Sequence, residues 1–251
     1  MYLSFMSNSE ELIRLSKRMS ELGLCSRREA DDFIRLGQVF VDGQRISELG
    51  YKVTRSQKIE LDFKAQMEME SSVTILLNKP VGFVSGQPED NYEPAVKLII
   101  DSNRDPASPS RPLKKSDFEG LAPAGRLDID SQGLLIFTQD GRVAKQLVGE
   151  DGNLEKEYLV RVRGEVAEKD LELLRFGLEL DGQPLRRAHI DQLDVGLLRF
   201  VLKEGKKRQI RRMCDLINLH VSRIKRVRIG RVKLGALPIG CWRFMDSDEH
   251  F

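Results

Sequence analysis

The stretch GRLDIDSQGLLIFTQDG, residues 125–141, sets two carboxylates, Asp128 and Asp130, just ahead of a short apolar run. No histidine, cysteine or nucleotide loop accompanies them. A carboxylate so placed can attack an electrophilic carbon or take a proton, and two in alternate positions can share a metal ion. On local spacing alone, a turn stabilised by either side chain stands on equal terms. Arg126 can steady either carboxylate or hold a phosphate. Leu134 to Phe137 read as a short buried strand entered through Gly133 and ended by QDG at 139–141. Asp128 is therefore expected in a loop leading into a sheet, where a rigid strand can display a reactive group.

Two further stretches carry candidate chemistry. In EKEYLVRV (155–162), period-two alternation puts Tyr158, Val160 and Val162 on one face and Leu159, Arg161 and Arg163 on the other. An inward tyrosine is more often core than site, yet near an aspartate it offers a flat platform for a nucleobase. In KEGKKRQIRRMCDLI (203–217), Ile210, Met213, Cys214 and Ile217 fall at i, i+3, i+4 and i+7, predicting a helix that docks by its apolar face. Lys206, Lys207 and Arg208 mark its start and Arg212 lies on it. Cations at a helix start oppose the dipole, which points to an anion as their partner. HVSRIKRVRIGRVKL (220–234) reads as a strand in which Arg226 and Arg228 oppose Val227 and Ile229 and extend a basic surface.

Common signatures are absent: no phosphate loop, dinucleotide fingerprint, His-Glu-x-x-His or nucleophile elbow occurs. The expectation is a reaction without cofactor or metal. His189, His220 and His250 stand singly and read as ordinary residues. Cys25, Cys214 and Cys241 lie far apart with no metal-ligand spacing, which suits a reduced compartment.

The elements that must position these groups follow from pattern. Leu15, Met19 and Leu22 form a helix stripe closed by Gly23. Ser26 and Glu29 have capping-box spacing, and Ala30, Phe33 and Ile34 continue a second helix to Gly37. Val39 and Val41 alternate up to the Asp42–Gly43 turn, and the chain returns through Ile46, predicting a hairpin. Lys17, Arg18, Arg27, Arg28 and Arg35 stay off the apolar stripes as a candidate basic surface. KAQMEMESS (64–72) reads as a linker without helix or strand. Beyond it VTILLNKP, GLLIFT, KEYLVRVRG and LLRFVLKEG read as strands, and PAVKLII, GRVAKQLV and EKDLELLRF as helical, giving an α+β fold with a mainly antiparallel mixed sheet. Residues 101–120, with Pro106, Pro109 and Pro112, read as an exposed, mobile insertion.

With 41 Lys+Arg against 39 Asp+Glu, the 251 residues carry a formal charge of only +2. Between Arg199 and Lys233, however, thirteen Lys/Arg face two acids, Glu204 and Asp215, so this segment carries +11 and the rest −9. Such a block fits a polyanion, because cations on one surface displace counterions condensed on nucleic acid. No run is apolar over the roughly 18 residues of a membrane span, and MYLSFMSNSEELIR lacks the pattern of a signal peptide, so a soluble cytoplasmic protein is expected.

Three stretches together, GRLDIDSQGLLIFTQDG, EKEYLV and EGKKRQIRRM, resemble the ribosomal RNA pseudouridine synthases of the small-subunit-uridine family, and LLNKPVGFVS (76–85) resembles that family's opening motif. DSQGL, RQIRRMC and LPIGCW (237–242) are most similar to the large-subunit synthase F branch. Residues from Arg14 to about Phe63 resemble the αL RNA-binding module of ribosomal protein S-four. The resemblance implies an RNA-binding domain at 13–64, a linker at 65–72 and a catalytic domain at 73–246. It further implies a catalytic aspartate at Asp128, an active-site tyrosine at Tyr158 and a basic partner at Arg211, with Asp130 left to loop structure. RNA contacts would come from Lys17, Arg18, Arg27, Arg28, Arg35, Arg126, Lys206, Lys207, Arg208, Arg212, Arg226 and Arg228. The implied activity is isomerisation of a flipped-out uridine in large-subunit ribosomal RNA, with transfer RNA as a second candidate substrate, by a monomer needing no cofactor or membrane. Two rival readings are a non-catalytic ribosome-assembly factor and a metal-dependent nuclease using Asp128 and Asp130.

Overall fold

Local signals build the first unit of the computed structural model, which describes residues 11–87, 91–108, 111–149 and 154–251. Helices α1 (Leu15–Glu21) and α2 (Arg27–Arg35) are separated by Gly23 at φ +72°. Ser26 Oγ accepts from the Glu29 amide at 3.3 Å, and Glu29 Oε2 accepts from the Ser26 amide at 2.6 Å, completing the expected capping box. Strands β1 (Val39–Val41) and β2 (Gln44–Ile46) form the hairpin, turned by Asp42 and Gly43 at φ +49° and +80°. A two-residue turn with both angles positive matches strand twist. Strand β3 (Ile59–Leu61) pairs with β1. Leu15, Met19, Ala30, Phe33, Ile34, Val39 and Val41 share this unit's core. Leu22 departs from the expected stripe: it follows the last turn of α1 and is exposed.

The linker reading of 64–72 is corrected. Residues Phe63–Ser71 form helix α3, because Asp62 accepts from the Ala65 amide at 2.8 Å and so caps a turn whose Ala65 and Met69, four apart, are buried. Residues 1–72 and 140–145 make one compact unit, and 73–139 with 146–251 a second.

The second unit centres on a nine-stranded sheet. Its strands in chain order are β4 (Thr74–Lys79), β5 (Gln132–Thr138), β6 (Lys156–Arg163), β7 (His189–Asp194), β8 (Leu197–Leu202), β9 (His220–Ile229) and β10 (Trp242–Phe244). They lie in the order β7-β8-β6-β9-β5-β4-β10, with residues 122–123 and 232–233 added beside β5 and β9. Every pairing along that order is antiparallel except β5 with β9. Helix α4 spans Gly141–Val148. Helices α5 (Glu168–Arg175) and α6 (Gln209–Asp215) bury Leu171, Leu174, Ile210, Met213 and Cys214 against Val160, Ile190, Phe200 and Ile224 of the sheet. Burial pushes the Cys214 thiol up to about 12, as it does that of Cys25 in the first unit. No helix among the described residues is long and apolar enough to cross a membrane.

Most of the described residues of 101–120 are exposed, as expected, but the segment is not loose. Around Pro109 and Ser110, which lie outside the described residues along with 1–10, the segment is tethered. Arg111 donates to both oxygens of the buried Asp117 carboxylate at 2.7 Å, and these hydrogen bonds hold its pKa below the usual carboxylate value against burial, which acts to raise it. The same guanidinium lies 4.7 Å from the Phe244 ring centroid, and Trp242 Nε1 donates to the Ile100 carbonyl at 2.7 Å.

The parallel junction of β5 and β9 brings Gly133 opposite Arg226. At φ +112°, a Cβ on Gly133 would stand 2.2 Å from the Arg226 carbonyl oxygen and 2.7 Å from its amide nitrogen. Neither backbone atom can move without parting the strands. Gly133→Ala is expected to lose about 3 kcal/mol or more of unfolding free energy. Urea denaturation measures this, and a loss under about 1 kcal/mol would contradict the close approach.

Candidate active site

The loop from Arg126 to Asp130 is held by its carbonyls. Arg226 Nη1 donates to the Arg126 carbonyl at 3.1 Å and Ser85 Oγ to that of Leu127 at 2.7 Å. The Ser131 amide donates to the Asp128 carbonyl at 3.0 Å and the Gly82 amide to that of Ile129 at 2.8 Å. Arg211 Nη2 donates to the Asp130 carbonyl at 3.0 Å. Ser85 Oγ also accepts from the Leu127 amide at 2.9 Å. The turn is thus closed by backbone and not by an aspartate side chain. Among the described residues, the half-buried Asp128 carboxylate accepts no hydrogen bond.

Around it the sheet builds a cleft of about 690 Å³. Asp128 and Tyr158 both line it, over an apolar floor of Leu202, Ile210, Ile224 and Ile229. Tyr158 faces inward with Val160 and Val162 as its alternation predicts, and its residual exposure of 9% opens onto this cleft. Eight cations line the same space, Arg126, Lys156, Arg186, Lys203, Lys206, Lys207, Arg208 and Arg226, against Asp128 and Glu204.

Arg211 is placed differently from the expected pairing. Its Nε lies 3.1 Å from Asp130 Oδ2 and its Nη1 donates to the Val221 carbonyl, so it grips the neighbouring aspartate and not Asp128. The cause is its position in the first turn of α6, where two backbone carbonyls fix its plane. Arg208 Nη2 donates to the same Asp130 oxygen at 3.0 Å. Asp130 therefore ties the loop to α6 through two guanidinium groups. Among the described residues no group of three His, Cys, Asp or Glu side chains could hold a metal ion.

The basic surface expected from β9 is corrected. Arg226 is 2% exposed, with Nε donating to the Leu134 carbonyl at 2.8 Å. A register shift between Glu157 and Tyr158 against Arg228 and Arg226 changes the phase of the strand, turning Arg226 inward with Ile224. Arg228 is half-buried and pairs with Glu157 and Glu155 at 2.8 and 3.2 Å. Arg212 makes a two-pronged pair with Asp181 at 2.6 and 2.9 Å. Lys206, Lys207, Arg208 and Arg126 do line the cleft. In the first unit, Lys17 and Arg18 reach Glu21 and Arg35 reaches Asp32, whereas Arg27 and Arg28 are exposed with no ion pair among the described residues.

Two cations were missed by sequence reasoning. Lys79, fully buried at the end of β4, donates to the carbonyls of Pro80 and Phe83 at 2.8 and 2.9 Å. Burial lowers its pKa from 10.5 to about 8, opposed by attraction to Asp128 and Asp130. At neutral pH it stays mostly protonated and supplies positive potential behind the loop. Its signal was a lone lysine ending an apolar strand. Lys156 shares the inward face of Tyr158, two residues along β6, and the same alternation could have found it.

With this geometry in view, the comparisons identify the chain. Residues 73–216 match the RNA pseudouridylate synthase family and residues 13–59 the S4 domain. The chain belongs to the RNA pseudouridine synthase family. It is 34% identical over 239 residues to the dual-specificity RNA pseudouridine synthase RluF of Escherichia coli (strain K12), covering 94% of this chain and 77% of that one. It is 33% identical over 238 residues to the protein of that name in Salmonella typhi, covering 94% and 76%. An uncharacterized RNA pseudouridine synthase of Mycobacterium leprae (strain TN) is 35% identical over 254 residues, covering 98% and 94%. A crystal structure of a pseudouridylate synthase, 24% identical, shares the fold with a TM-score of 0.63 over 93% of this chain and 96% of that one. The enzyme is therefore a pseudouridine synthase, and RNA is its substrate class.

Lys79 gives a pH test of the site's electrostatics. The folded protein releases this proton near pH 8 and the unfolded chain near 10.5. Between these values the unfolded state binds more protons, so stability rises with pH. The urea midpoint of the wild type should climb relative to that of Lys79→Met between about pH 7.5 and pH 10. Parallel profiles would show that the buried ammonium carries no such strain.

Proposed function

We propose that the enzyme converts a specific uridine of large-subunit ribosomal RNA to pseudouridine with Asp128 as its catalytic carboxylate. The observation that carries the reading is the contrast within residues 126–130: each carbonyl has a donor, while the Asp128 carboxylate has none and opens on a cationic cleft. The isomerisation breaks the bond from C1′ to N1 and joins C1′ to C5; a proton leaves C5 and N1 gains one. Nothing is oxidised and no water is added. Attack on C1′ and removal of a sugar proton both need an ionised carboxylate free of competing donors. Lys79 stands behind it as a cation, and Arg211 and Arg208 position the turn through Asp130.

Tyr158 gives the extruded base a stacking surface, worth about 1–3 kcal/mol per base in single-strand binding. That offsets part of the few kcal/mol needed to flip a nucleotide out. The RNA-binding module at 13–64 and the catalytic domain at 73–246 divide the work, with Arg27 and Arg28 of the first as RNA contacts. Five relatives are named dual-specificity RNA pseudouridine synthases, which fits a second RNA substrate, and transfer RNA is the candidate proposed for it. A cytoplasmic monomer acting in ribosome biogenesis completes the proposal.

Incubating an unmodified large-subunit RNA transcript with the enzyme, then mapping carbodiimide-induced reverse-transcription stops, tests it. Wild type should give a stop at one or a few uridines. Asp128→Asn should lose at least about a thousandfold in rate, on the scale of removing a reacting group, while binding the transcript normally. Stops that persist in Asp128→Asn refute the catalytic assignment, and stops confined to other RNAs refute the substrate.

A further inference from the structure

Lys156 and Arg226 are two cations of one cleft, and among the described residues neither forms an ion pair with a carboxylate. Among the described residues Lys156 Nζ forms no ion pair, and its one hydrogen bond, to the Leu154 carbonyl, is 3.4 Å long. The neighbouring acids are engaged elsewhere, Glu155 and Glu157 both on Arg228. Arg226 uses Nε and Nη1 on the carbonyls of Leu134 and Arg126, and its buried Nη2 has no partner. The two charges repel: burial and the nearby guanidinium both hold the Lys156 ammonium below the usual lysine range. Like charges, one half-buried and one buried, with an unmet donor lose hydration without a counter-charge, and an arriving anion offsets that cost.

Position selects the anion. Lys156 and Tyr158 point to the same face of β6 with Cα atoms about 6.6–6.8 Å apart at ordinary strand rise, and Tyr158 pairs in register with Arg226. A base stacked on the Tyr158 ring would bring its own backbone phosphate to the part of the cleft that both cations line.

We propose that Lys156 and the free Nη2 of Arg226 form a phosphate subsite that holds the backbone phosphate flanking the extruded uridine. This rests on the reading of Asp128 and Tyr158 as the place where that uridine is received. The subsite makes flipping productive, since a base on the tyrosine is held by its phosphate as well as by its ring. Lys156 is accordingly a binding residue and not a participant in bond exchange.

The test measures binding of a large-subunit RNA transcript to full-length Asp128→Asn protein, which removes turnover, from about 50 to 200 mM salt. Adding Lys156→Met should weaken binding about tenfold and make the slope of log Kd against log salt shallower by about 0.7–0.9, one phosphate contact. Lys156→Arg should restore the slope, which a packing role would not predict. In the unmutated protein, saturating transcript should protect Lys156 from acylation, a readout independent of any variant's folding. With Asp128 intact, Lys156→Met should raise KM by a larger factor than it lowers kcat. An unchanged slope or an amine that stays reactive in the complex overturns the subsite. A transcript that is bound with the expected slopes but never modified would instead overturn the large-subunit assignment and leave the subsite standing.

Discussion

Donors supplied to five successive carbonyls, from Arg126 to Asp130, fix the chain around a carboxylate that takes part in none of those bonds. Each bond contributes only about 0.5–1.5 kcal/mol net, but together they leave the loop one geometry. A flexible loop would let Asp128 turn back onto a backbone amide, as aspartates in turns commonly do. Here the turn is closed without it. The donors come from Ser85, Gly82, Ser131, Arg211 and Arg226, so the position of one side chain depends on four separate parts of the second unit. Gly133 belongs to the same constraint, because Arg226 can reach Arg126 only while β5 and β9 stay in close register.

Charge is arranged by the same logic of pairing some groups and sparing others. Much of the +11 segment is compensated by acids from elsewhere in the second unit: Asp130 takes Arg208 and Arg211, Asp181 takes Arg212, Asp191 takes Arg199, and Glu155 with Glu157 takes Arg228. These pairs fix elements to one another. Lys156, Lys203, Lys206 and Lys207 have no acidic partner among the described residues and line the cleft. The chain thereby combines a near-neutral total with a local field suited to a polyanion, which favours steering of RNA toward the cleft.

What could be read in the sequence follows from how local its cause is. The capping box at Ser26 and Glu29, the Asp42–Gly43 turn and the alternation through Tyr158 are interactions between near neighbours, and each forms as its pattern predicts. Helix α3 was hidden because only Ala65 and Met69 bury a face, too few to show a period, and its cap at Asp62 precedes the stretch that looked like a linker. The tether at Asp117 depends on Arg111 six residues away across a proline, which composition cannot reveal. Arg226 looked outward because a regular strand was assumed, and a register shift reversed it. The three stretches that form the cleft were each legible, but the partner of Arg211 was not. Choosing between Asp128 and Asp130, two residues apart in one loop, requires the tertiary placement of α6.

The central claim is that the free carboxylate of residue 128 meets the sugar of an extruded uridine. A crystal structure of the Asp128→Asn protein bound to an RNA carrying the modified uridine tests it most directly. The account predicts the base on the Tyr158 ring and its C1′ within about 3.5 Å of the residue 128 side chain, the distance of a reacting pair. A uridine still stacked in the RNA, or seated with its ribose away from residue 128, would contradict it.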